Sequence, residues 1–281
     1  MDTGSSSGHS AIAWRRMTRA LESAARAEAF AEQYERLFLQ SGKVHHAELA
    51  DSYRRTAERH RSSARLQEKF ARRLMARSGP RDTRPLFMSV VADACGTSSA
   101  ALTLVGSDQS QLAVAASDEG SRAAQDLEYV LGEGPGTDAA AGSRRISAAG
   151  RYLERYWPVY GPAVRALGFG EVIAVPLKTP GGCLGSLAVF DPRPGTATAT
   201  AVADITEALV RSMLIGPDAD PEFYGGTDHR DTVHQAAGMV SVQERCPVKD
   251  ALALIKARAY ADGIPVNVMA ERIVSGEIRL A

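Results

Sequence analysis

Apolar positions recur at three- and four-residue spacing from Ile12 to Gln40 and again from about Ala47 to Ala76, within sequence that is otherwise polar and rich in charge. That is the period of an amphipathic helix. The first stretch carries Phe30, Tyr34, Leu37 and Phe38; the second carries Leu49, Tyr53, Ala57, His60, Ala64, Phe70 and Leu74 along one stripe. Joined by the short "SGKVHH", they predict a helical hairpin over 11–78, preceded by a Ser/Gly-rich segment, 1–10, that reads as a disordered tail.

The pattern changes beyond "SGPRDTRP", Ser78 to Pro85. Over 80–215 it predicts a helix Leu86 to Cys95, strands "AALTLVG" and "QLAVAAS", a helix around Ala123 to Tyr129, a short strand near Arg145 and a helix Arg151 to Leu167. Two apolar strands follow, "EVIAVPL" and "CLGSLAVF", joined by "KTPGG", then a closing helix Thr198 to Leu214. Strands joined so tightly pair antiparallel, which predicts an α+β fold with an antiparallel sheet flanked by helices.

"GPDADPEFYGG" opens a linker over 216–228, and behind it, over 229–281, stand three short helices: about Arg230 to Glu244, Val248 to Ala261 and Val266 to Ser275. Pro247 and Pro265 suit the first helical turn. Within the first helix, "HQAAGMVSVQERC" places Gly238 in an interior position where glycine costs about 1 kcal/mol relative to alanine. The expectation is that Ala236, Ala237 and Gly238 admit a neighbouring helix close to the axis, helped by Ala251, Ala259 and Ala270, so that close contact offsets the glycine cost. A local kink, or backbone left open for a partner, are the alternatives.

Composition narrows the classes. Lys plus Arg and Asp plus Glu are both 33, so the chain is not uniformly basic. Positive charge concentrates in "YRRTAERHRSSARLQEKFARRLMAR" of the hairpin, which reads either as the solvated face of a packing helix, the preferred reading, or as a surface tracking phosphates. Cys95, Cys183 and Cys246 form no CxxC pair, so no disulfide framework or zinc site is expected. With no signal-peptide pattern and no 18-residue apolar span, a soluble cytoplasmic protein without membrane association is expected.

Catalytic chemistry is not expected. "LGEGPG" lacks the Lys-Ser/Thr ending of a phosphate loop, and Pro135 removes an amide donor, so it reads as a turn. Glu133, Asp138, Glu171 and Asp191 pair with no histidine, and no histidine lies between Gly79 and Thr227. Cys183, at a strand start, reads as a small apolar residue before a redox or metal sensor. Tyr152, Tyr156, Trp157, Tyr160 and Phe169 gather scarce aromatic content into one segment. They suit a core or a candidate pocket for an unidentified small molecule.

"LGEGPGTDA" (Leu131 to Ala139), Trp157-Pro158 and "GEVIAVPLKTPGGCLGSLAVFD" (Gly170 to Asp191) make residues 80–215 similar to a GAF domain, a sensory and subunit-pairing module. "HQAAGMVSVQ" followed by "ALALIKARAYADGIPVNVMAERIV" makes the C-terminal stretch resemble an ANTAR domain, the RNA-binding module of bacterial transcription antiterminators. The resemblance implies a homodimer binding a pair of RNA hairpins, with the GAF-like part controlling the ANTAR-like part. Gln243, Arg245, Lys249, Lys256, Arg258, Tyr260 and Arg272 are the candidate RNA contacts, and the few cations predict a shallow salt dependence. A DNA-binding helix-turn-helix regulator and a protein-interaction scaffold are the alternatives.

Overall fold

The computed structural model describes residues 3–76, 86–196, 199–211 and 227–280. The boundary segment Ser78 to Pro85 and most of the linker read over 216–228 lie outside them. The described secondary structure is α+β, with a six-stranded sheet and helices along the whole chain. Two compact units divide the chain, and segments read as successive domains are interleaved between them.

The first unit holds α1 (Thr3–Ser41), α2 (Val44–Ala76), α3 (Leu86–Ala94) and α8 (Ala199–Leu209). The hairpin forms as expected, but α1 already begins at Thr3, within the segment expected to be disordered. Its seam is alanine. Ala50, Ala57, Ala64 and Ala71 of α2 are buried, as are Ala24, Ala27 and Ala31 of α1. The α2 set repeats every seventh residue, which keeps one narrow row of small side chains on the partner helix. Arg61 pairs with Glu28 at 2.6 Å and Arg54 with Glu35 across the hairpin. Phe30 and Tyr34 of α1 stack on Tyr53 of α2 at 5.2 and 5.5 Å between centroids. The closing helix α8 lies along α2, where Arg59 pairs with Glu207 at 2.6 Å.

The second unit contains β1 (Ser99–Val105), β2 (Gln111–Ala116), α4 (Glu119–Leu131), α5 (Pro135–Gly142), β3 (Ile146–Ala149), α6 (Arg151–Tyr156) and α7 (Tyr160–Ala166). Most of β4 (Glu171–Thr179) and β5 (Gly182–Phe190) belong to it too, together with β6 (Thr227–His229), α9 (Asp231–Glu244), α10 (Val248–Asp262) and α11 (Val266–Val274). The sheet order is β3-β4-β5-β1-β2-β6. β1 pairs antiparallel with both β2 and β5, with Leu102 opposite Ala115 and Leu187. Ala101, Ala174 and Phe190 of the sheet share a core with Ala124, Leu153, Tyr160 and Val164 of α4, α6 and α7.

Three local departures from the sequence reading have physical causes. The single helix expected over 151–167 breaks at Trp157-Pro158, because a residue before proline is pushed out of helical geometry; Trp157 sits at φ −131, ψ 89. The "PG" that closes "LGEGPG", expected as a turn, opens helix α5 ("PGTDAAAG"), with Pro135 in its first turn. "TDH", across the boundary expected between linker and terminal helices, is β6, which pairs with the open edge of β2 through Ala113 opposite His229.

Candidate nucleic-acid interface

The three C-terminal helices fold round a core of Val233, Ala236, Ala237, Val240, Ala251, Ile255, Ala259, Met269, Ala270 and Ile273, all buried. Helices α10 and α11 each follow a proline that caps them, and α10 ends on Gly263 in the left-handed region. The five alanines expected to line the helix contacts do so. Gly238 does not: a Cβ built there meets nothing within 4 Å. The close approach expected at Gly238 is therefore corrected. The glycine lies beside the buried stripe set by Val233, Ala236, Ala237 and Val240, and no neighbouring backbone compensates its helical cost.

The candidate RNA contacts fall into distinct groups. Gln243, Arg245 and Lys249 are exposed together around the α9–α10 turn, and Arg258 and Tyr260 are exposed on α10. Arg245 ends α9 in the left-handed region at φ 50, ψ 40, a conformation that costs an L-residue other than glycine or asparagine about 1–2 kcal/mol. Arg258 is held by Asp262 one turn later, at 2.8 Å, and the half-buried Arg272 lies 3.7 Å from Glu277.

Lys256 is drawn inward. Its Nζ donates to the main-chain carbonyl of Tyr129 at 2.6 Å and sits 3.7 Å from the centroid of that ring. Tyr129 lies in the last turn of α4, where carbonyls lack helical partners, so the ammonium acts as a C-terminal cap. Burial, and then the Arg230 charge, lower the Lys256 pKa to about 8.

Arg230, just before α9, is the residue the sequence did not single out. Only 1% exposed, it donates to Gln111 Oε1 at 3.1 Å, to Asn267 Oδ1 at 2.7 Å and to Asp126, and its guanidinium carbon lies 4.8 Å from the Tyr129 centroid. It ties β2, α4 and α11 to the start of α9. Partners 37 residues distant at Asn267 and 104 and 119 distant at Asp126 and Gln111 leave no local signal for such a group.

Of the acidic residues considered for catalysis, Glu133, Asp138 and Asp191 serve as side-chain hydrogen-bond acceptors. Glu133 Oε1 accepts from the amides of Val159 at 2.7 Å and Tyr160 at 2.8 Å, capping α7. Asp138 Oδ2 accepts from Trp157 Nε1 at 3.0 Å, and Asp191 Oδ1 accepts from the amides of Gly170 at 2.9 Å and Glu171 at 2.7 Å. Glu128, which the sequence reading passed over, is buried and accepts from the amide of Thr137 in the first turn of α5 and from Gln125 Nε2 at 3.3 Å. Burial outweighs these donors and pushes its pKa up to about 7. Thus "LGEGPGTDA" and "WP", with Glu128, form one hydrogen-bonded assembly that fixes the starts of α5 and α7.

The five aromatics considered for a pocket divide. Trp157 and Tyr160 are core side chains, Phe169 packs on Phe190 at 4.5 Å, and Tyr152 and Tyr156 stack on the surface at 6.2 Å. Cys183 is half-buried, its thiol directed to the Gly185 carbonyl at 3.1 Å. In the basic run of α2, Arg54, Arg59, Arg61, Arg65, Arg72 and Arg73 all hold carboxylates, which supports the packing-helix reading over a phosphate track. Among the described residues no His/Cys/Asp/Glu group is arranged to hold a metal ion, and no helix is long and apolar enough to cross a membrane. No protein-family model matches the chain, and no curated protein matches it in sequence.

Proposed function

We propose that the chain is an RNA-binding transcription antitermination regulator, in which a GAF-like sensory and dimerising part governs an ANTAR-like three-helix part that binds RNA hairpins. The observation that carries this reading is the α9–α10 turn. It presents Gln243, Arg245 and Lys249 to solvent beside a small alanine-packed bundle, with Arg245 held in a strained backbone conformation. Backbone strain of this kind concentrates at functional positions. Two cations and an amide at this turn suit the phosphates and base edges of a hairpin loop, and Tyr260 is exposed further along α10, where a ring can stack on an unpaired base.

Binding of the full chain to a randomised RNA-hairpin pool, measured beside duplex DNA, tests the reading. The expected result is hairpin binding that Arg245→Gly and Lys249→Ala each weaken by about fivefold or more, the effect of losing a charged contact of about 1 kcal/mol. Because glycine relieves the left-handed strain, Arg245→Gly should fold at least as stably as the wild type. Equal affinity for duplex DNA, or hairpin binding indifferent to both substitutions, overturns the proposal.

A further inference from the structure

Resting on the RNA reading above, we infer that α4 is a brake on the C-terminal bundle: Lys256 held on Tyr129 is the closed state, and RNA draws this lysine away from α4. Among the candidate RNA cations, Lys256 is the one whose ammonium is committed to a partner across the fold, at 2.6 Å from the Tyr129 carbonyl and 3.7 Å from its ring centroid. The charges around it are unbalanced. Arg230 lies over the same ring at 4.8 Å, and the carboxylate there, Asp126 on α4, is already bonded to Arg230. The Tyr129 hydroxyl is buried with no hydrogen-bond partner among the described residues, so the ring supplies a face for cations but no countercharge. Lys256 is therefore a desolvated cation beside a second cation, held by one carbonyl and one ring. Moving to solvent returns its hydration and ends the repulsion; moving to a phosphate adds a countercharge. Arg230, hydrogen-bonded to Gln111, Asn267 and Asp126, stays in place and keeps the bundle attached while Lys256 exchanges.

The test uses the full chain, a randomised RNA-hairpin pool and amide hydrogen exchange. Tyr129→Leu keeps apolar bulk but removes the ring; it should bind the pool about tenfold more tightly, within the usual range of couplings between sites. Its α9–α11 amides should exchange faster while those of β1 and β5 stay protected. Asp126→Asn, at a part-exposed carboxylate, should change both readouts in the same direction and serves if Tyr129→Leu fails to fold. Lys256→Met should do the opposite, slowing exchange in α10 and weakening RNA binding. RNA affinity identical in the wild type, Tyr129→Leu and Asp126→Asn overturns the brake alone. Absence of RNA binding in every form overturns the RNA reading and the brake with it.

Discussion

Glu128 and Tyr129 are consecutive on α4 yet belong to different surroundings: the carboxylate is buried against the first turn of α5, whereas the ring enters the core of the C-terminal helices. Successive helical residues point about 100° apart, so one turn of α4 serves both.

Glu128 makes the stability of this unit depend on pH. Its folded pKa of about 7 stands above the ordinary 4.5, so the folded protein holds this proton longer than the unfolded chain. The stabilisation is complete below about pH 4.5, is lost as pH rises through about 7, and does not change further above that. Glu128→Gln keeps an acceptor for the Thr137 amide without the charge. It should raise stability at pH 8 by up to about 3 kcal/mol and flatten the slope between pH 5 and 7, as read by urea denaturation at each pH.

Lys256 acts in the opposite direction. Its folded pKa of about 8 lies below the ordinary 10.5, so the unfolded chain holds the proton longer, and stability should rise as pH increases from about 8 toward 10. Lys256→Met retains the apolar stem on Tyr129 and removes the titration. Its chemical-denaturation midpoint should lose the rise between pH 8 and 10 that the wild type shows, while at pH 7 it should equal or exceed the wild type.

Gly238→Ala should stabilise the protein by about 1 kcal/mol, since the added methyl meets nothing within 4 Å and glycine is the poorer helix former. Thermal melting followed by circular dichroism checks this. A loss of stability would mean that another surface covers α9.

Gly161→Ala should behave differently. A Cβ at Gly161 would lie 2.5 Å from the Leu153 carbonyl oxygen and 2.6 Å from the Glu154 Cα, both backbone atoms of α6. The two short helices must separate to admit it, with a cost of about 1–3 kcal/mol typical of overpacking. A melting temperature equal to the wild type would contradict the contact.

The helical hairpin, the antiparallel strand pairs and the three terminal helices were legible because each buries one face, and burial on one face writes a period of 3.6 or 2 into the chain. The five bundle alanines were legible for the same reason. Gly238 misled because a small residue beside a buried stripe has the same spacing whether or not a neighbour approaches it. Helix α5 was hidden because "PGTDAAAG" has no apolar period, and its first turn is stabilised by Glu128 from another helix.

Local sequence thus determined most of the helices and strands, α5 and β6 excepted, where proline and glycine end them, and which alanines face inward, since those outcomes depend on neighbours within a turn or two. Tertiary structure alone decided that α8 lies along α2, that "TDH" extends the sheet, and that Arg230 and Lys256 close over Tyr129. Those contacts join residues far apart along the chain, where desolvation, available strand edges and the positions of other charges set the outcome and no periodicity records it.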